Sequence, residues 1–187
     1  MTASYKIETP LSRLEALWDA ARRTNPIPRR SDIDAVSLGK EIGQTFMLER
    51  TGPQQTRLRV AGLWLADAMG MEARGMPMTA LFVPRQRPEI ADRIETVFAG
   101  PSKLRMSVRS GEMIGTILIL PLLCPSGRPT RALGCIHMKA LTALRQTPLE
   151  MRSCRPTEID QPPLLGVAES EGRFEGSRKG HLRLVNG

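Results

Sequence analysis

Histidine and cysteine are the residues best suited to chemistry here, and both are scarce. The 187-residue chain holds two histidines and three cysteines. His181 lies in a polar C-terminal stretch, so a histidine general base or a histidine-containing metal site must rest on His137. Cys135, two positions earlier, shares a strand face with it, and Cys124 lies across a hairpin. With the turn centred on Ser126-Gly127, the two sulfurs are offset by roughly 15 Å, at ~3.3 Å per strand residue. Zinc needs its ligands within ~2.3 Å of one point, so these residues are not read as a metal set, and His137 is read as structural. Gly70 to Gly75 lacks the GxxxxGK[ST] spacing that cradles phosphates. The odd cysteine count and the absence of a CxxC pair indicate no disulfide framework. No catalytic constellation emerges, and the expectation is a protein that is not an enzyme.

Methionine is the other chemically distinctive type, with Met69, Met71, Met76, Met78, Met106 and Met113 in the central region. An adaptable thioether fills irregular gaps, so with few aromatics available these residues read first as a plain core and second as the lining of a cavity for an apolar ligand.

The elements that must position these residues follow from periodicity. Leu11, Leu14, Leu17, Trp18 and Ala21 recur at helical spacing over Leu11 to Arg23. Thr9-Pro10 supplies an N-cap and first turn, and Ser12-x-x-Glu15 is a competing capping box. Pro26 and Pro28 end the helix. Asp32 or Asp34 then caps a short helix with Val36, Leu38 and Ile42. Phe46 to Arg50 and Arg57 to Ala61 read as strands around the turn-rich Thr51 to Gln55. Leu63 to Met69 is a short helix ending at Gly70, and Arg85 to Ala99 a longer one with Ile90, Ile94, Val97 and Phe98 as its stripe. Three more strands follow. Lys103 to Arg109 alternates strictly, Met113 to Cys124 is apolar enough to be covered on both faces, and Arg131 to Leu141 comes last.

Formal charge is +8, but 22 of the 27 basic residues are arginine, and they are scattered. Aromatic content is 4%, which leaves almost no stacking platform for single-stranded nucleic acid. Nucleic acid is therefore a disfavoured partner, kept as the alternative: a basic regulator using an arginine face. Arg57, Arg59, Arg105 and Arg109 fall on outward strand faces, where solvation and edge protection explain them. No apolar run approaches the ~20 residues of a bilayer span, and no secretory leader is visible, so a cytoplasmic location is expected. Residues 145–187 lose periodicity and read as a low-complexity, mostly disordered tail after a domain spanning 1–144.

Helix, strand, strand, helices, then three strands is the order of an α+β fold with a five-stranded antiparallel sheet. Helices are inserted between strands 2 and 3, and an N-terminal helix precedes the sheet. Trp18…Pro28-x-Arg30-Ser31-Asp32-Ile33-Asp34, Arg57-Leu58-Arg59-Val60-Ala61-Gly62 and Gly70-Met71-Glu72-x-Arg74-Gly75-Met76-Pro77 carry a resemblance. With Leu81-Phe82 and Leu120-Pro121-Leu122…Gly127…Arg131-Ala132-Leu133-Gly134, residues 11–142 resemble a bacterial PAS-domain family. The resemblance implies a stand-alone, usually dimeric, sensory or regulatory domain in signal transduction, acting through a protein partner. Where the methionine-rich centre encloses a cavity instead of a plain core, its expected lining is Phe46, Leu48, Val60, Leu65, Met69, Met76, Phe82, Phe98, Met106, Ile117 and Cys135. Haem is disfavoured because Arg85 to Ala99 holds no histidine, and covalent flavin because Leu63 to Phe82 holds no cysteine. The expected cofactor is none, or an apolar small molecule. The stripe of the first helix must cover the outer sheet face or pair with a second copy. The expectation is a homodimer with Leu11, Leu14, Leu17, Trp18, Ile136 and Met138 in the interface.

Overall fold

The computed structural model describes residues 9–23, 25–34, 36–139 and 148–160. Helix α1 (Pro10–Ala21) starts where the proline favours it, and Thr9, not Ser12, is the N-cap. Thr9 Oγ1 accepts the Ser12 N–H at 3.2 Å, and Ser12 Oγ accepts the Thr9 N–H at 2.9 Å. A 3-10 segment (Val36–Gln44), with Asp34 Oδ1 accepting the Val36 N–H at 3.0 Å, leads into β1 (Thr45–Gly52) and β2 (Gln55–Ala61). Then come α2 (Leu63–Met69), closed by Gly70 at φ 65°, and α3 (Arg87–Ala99). The remaining strands are β3 (Ser102–Ser110), β4 (Met113–Leu123), β5 (Pro129–Met138) and β6 (Glu150–Glu158).

All pairings are antiparallel, and the strand order is β2-β1-β5-β4-β3-β6. The expected five strands with inserted helices are therefore present. A sixth strand joins them from the segment read as tail. Its sequence, EMRSCRPTE, hides it. Only Met151 and Cys154 pack inward, while Pro156 and the charges are what an unpaired outer edge tolerates. Leu149 anchors the approach to β6 by donating its N–H to Leu81 O at 2.8 Å and accepting from Val83 at 3.0 Å. The domain thus extends past residue 144 to at least 160; the rest of the expected tail, 161–187, lies outside the described residues.

β3 obeys its alternation. Leu104, Met106 and Val108 are fully buried, and Arg105, Ser107 and Arg109 face outward. β4 is buried on both faces from Ile117 to Leu122. Pro121 is tolerated inside this central strand because the ladder to β3 ends at the Leu104–Ile119 pair, leaving no partner there for the missing N–H.

The inner layer packs α2 and α3 on one sheet face, and an ion pair fixes the second of them. Arg50 holds Glu95 in a fork, with Nε 3.1 Å from both carboxylate oxygens and the terminal nitrogen 2.6 Å from Oε1. The Gln54 N–H adds a bond at 3.0 Å, so the β1–β2 turn, α3 and β1 meet at one carboxylate. Hydrogen bonding from Arg50 holds Glu95 below the usual carboxylate range. The stabilisation is therefore present above the ordinary carboxylate pKa and fades as pH falls through the depressed one. Urea unfolding midpoints of Glu95→Gln should lie below the wild type at pH 7, by about 1–3 kcal/mol in stability. The gap should close progressively below about pH 4.

Candidate functional site

The inner sheet face is where the expected cavity residues converge. Phe46, Leu48, Leu65, Phe82, Phe98, Met106 and Ile117 belong to one buried cluster, Met69 packs on its margin, and Met76 is half-buried. Two expected members lie elsewhere. Val60 is 55% exposed, because a β-bulge opposite Met47 and Leu48 inserts Arg59 as an extra residue and turns Val60 to the outer face. Cys135 packs on the outer face with Leu118 and Leu133. The same parity places Ile136 and Met138 in the inner core rather than in a dimer interface.

Two glycines let the inner layer close. A Cβ on Gly134 would fall 2.2 Å from the Phe46 ring, and one on Gly115 2.0 Å from Met138 Sδ. Side chains therefore occupy the space directly over β4 and β5.

The outer face is covered from within the chain. Leu11, Leu14 and Trp18 of α1 are at most 5% exposed, with Leu17 packed beside them, against Leu118, Leu120, Leu122, Leu133 and Cys135. This corrects the expected interface: the apolar stripe of α1 is consumed inside the chain, not offered to a second copy. Trp18 Nε1 donates to Pro121 O at 2.7 Å, which fixes the helix register. Lys103 Nζ lies 4.9 Å from the centroid of the Trp18 ring and the Arg22 guanidinium carbon 5.4 Å from it, so the indole carries two cations. Lys103 also bonds Asp19 at 3.0 Å and Glu15 at 3.2 Å, and Arg105 bonds Glu15 at 2.9 Å. Arg22 reaches the Asp160 carbonyl beyond β6. Glu15, Arg22, Lys103, Arg105 and Asp160 line a cleft of about 140 Å³ between α1, β3 and the end of β6, and each is engaged in a contact between α1 and the sheet.

The histidine and cysteines do not converge. His137 lies opposite Thr116 on the outer face, with Nδ1 buried and unpartnered. Cys135 lies opposite Leu118, six residues along β4 from Cys124. Cys124 sits where β4 leaves the hairpin, its Sγ 2.9 Å from Ser126 Oγ. Hydrogen bonds from Ser126, then Thr130, lower its thiol to about 6, whereas burial raises that of Cys154. No cysteine motif announces this thiol, since the signal is the turn hydroxyls around it.

The family model for the PAS domain matches residues 7–137, more than two thirds of the chain. No curated protein and no solved structure matches it. The match ends within β5, so β6 lies beyond it.

Three outcomes test this geometry. Trp18→Ala should cost about 3–5 kcal/mol in denaturant unfolding. Replacing Leu14 and Trp18 together by serine should give an unfolded or aggregated chain by light scattering, not a well-folded monomer. Alkylation by iodoacetamide should select Cys124, with a rate midpoint near pH 6 that rises in Ser126→Ala.

Proposed function

The chain belongs to the PAS-domain family, and on that premise we propose that it is a non-catalytic sensory and regulatory module of bacterial signal transduction, acting through partner-dependent protein interaction in the cytoplasm. The observation that carries the reading is where the charges go. Glu95 is taken by Arg50, Glu15 and Asp19 by Lys103, Glu150 by Arg85, and Glu49 by Arg59. These charged groups thus hold elements together, and those that line the cleft beside α1 are paired with one another across it instead of standing as a free acid and base.

Partner dependence is favoured over ligand dependence because Phe46 and Met138 fill the space that Gly134 and Gly115 leave. Neither haem nor covalent flavin is part of the proposal, since α3 offers no histidine and the segment Leu63 to Phe82 no cysteine. Self-association through α1 is not part of it either. No helix among the described residues is long and apolar enough to cross a membrane.

Native mass spectrometry of the purified full chain separates the inputs. The expected spectrum has the mass of the polypeptide alone. A stoichiometric apolar small molecule that survives desalting would move the input from a partner to a ligand.

A further inference from the structure

β2 is an edge strand, and only part of its free edge is used. Leu58 donates its N–H to Met76 O at 2.9 Å and accepts from Gly75 at 2.7 Å, so residues 75–77 cap the edge there. Past Leu58 the bulge turns the strand, and with the Gly62 N–H bonded to Thr45 O at 2.8 Å, the backbone groups left facing outward before α2 centre on Ala61. A surface groove of about 290 Å³ opens between β2, α2 and the segment before Gly75. Val60, Ala61, Ala66 and Ala73 supply its apolar wall, and Arg59 and Arg74 its basic one; the exposed Glu72 also lines it.

The apolar wall continues outward. Val60 is 55%, Leu63 72%, Ile42 52% and Met71 57% exposed, four of the six large apolar side chains that are exposed among the described residues. Gly62 brings three of them together. A Cβ there would meet Ile42 O at 2.6 Å and Gly43 O at 2.3 Å, so the end of the 3-10 segment abuts the turn that separates Val60 from Leu63. Single exposed apolar residues are ordinary, but a border of them beside an open strand edge marks a contact surface.

Charge is unbalanced at the same place. Glu49 is shared by Arg59 at 2.6 Å and Arg131 at 3.7 Å. Arg57 donates to the neutral Gly75 carbonyl at 2.9 Å. Arg74 is exposed and makes no hydrogen bond or ion pair among the described residues. Within the groove Arg59 and Arg74 thus stand against Glu72, with Arg59 already held by Glu49 and Arg57 flanking from β2 without a carboxylate partner among the described residues.

We infer that this groove docks an extended, acidic segment of a partner protein, with alternating apolar and carboxylate side chains, added to the free edge of β2. The inference rests on the reading of the chain as an interaction module and names its partner surface. An open edge offers backbone pairing, the apolar border accepts alternate side chains, and the surplus arginines select acids. A second copy is a poor occupant. β2 carries Arg57 and Arg59 and no acid, so pairing two copies of it opposes like charges. Nucleic acid fits less well, because no aromatic side chain lines the groove for a base to stack on.

The probe is a fluorescein-labelled nonapeptide alternating valine and glutamate, with a valine–lysine twin, titrated against the full chain in about 150 mM salt. The acidic peptide should bind and slow amide exchange at Ala61 and its outward-facing neighbours. Arg74→Glu, with an unchanged melting temperature, should weaken it about five-fold or more and improve binding of the lysine twin. The inference is overturned if neither peptide binds, if both bind alike, or if protection falls on another strand. It is equally overturned if those amides become protected by raising protein concentration alone, or by a single-stranded oligonucleotide. The native mass measurement does not involve this groove. Failure of the peptide therefore retires the docking surface, while a bound apolar ligand would retire partner dependence instead.

Discussion

Strands β4 and β5 are apolar on both sides, and every other part of the architecture answers to that. Ile117, Ile119, Ile136 and Met138 point one way, and Leu118, Leu120, Leu122, Leu133 and Cys135 the other, all at most 3% exposed. A sheet with one wet face needs a single covering layer; this one needs two. The inner cover comes from the helices inserted between β2 and β3. The outer cover must come from outside the sheet sequence, and the N-terminal helix is the element available. Burying Leu11, Leu14 and Trp18 is worth roughly 1.5–3 kcal/mol each, comparable in sum to the whole net stability of a small domain. α1 is therefore a structural layer, and the bond from Trp18 to Pro121 with the carboxylates on Lys103 and Arg105 sets where along the sheet it lies.

The two edges of the sheet solve a different problem. β6 closes the β3 side and is itself protected by composition, with Pro156 removing a donor and Arg152, Arg155 and Glu158 discouraging further strands. β2 relies on neighbours. Residues 75–77 occupy its edge at Leu58, but the bulge carries Arg59 to Ala61 away from that cap. The distortion that exposes Val60 is the same one that opens the groove beside it.

How much of this was legible in the sequence depended on whether burial was one-sided. β3 alternates a charged or polar face with an apolar one, so its orientation follows from pattern alone. α2 was bounded by Gly62 and Gly70, and its limits follow from those two residues. β5 was not legible in the same way. Leu133 and Cys135 are as apolar as Ala132, Ile136 and Met138, and with both faces dry, composition cannot say which set points inward. The register that decides it includes a shift between Leu122 and Leu123, invisible in residue types. Val60 was misplaced by the bulge at Arg59 for the same reason: one extra residue reverses every face beyond it. β6 was missed because an edge strand facing water on one side and its own outer edge looks like a polar tail. The ion pairs that hold α1 and α3 were unreadable, since they join residues dozens of positions apart.

These constraints also decide where a signal can be received with least disturbance. Releasing α1 would wet five large side chains on the outer face, at a cost approaching that of unfolding. Opening the inner layer would break the packing of Phe46 against Gly134 and of Met138 against Gly115. The Cys124 turn can change its chemistry without moving the core, but its thiol bonds to Ser126 of the same hairpin turn and is not part of either buried layer. The β2 edge differs from all three, because its apolar border, its arginines and its open backbone already face solvent. The β1 ladder joins this edge to the strand whose Arg50 holds Glu95 of α3, so the edge is connected to the inner layer without any buried residue being displaced.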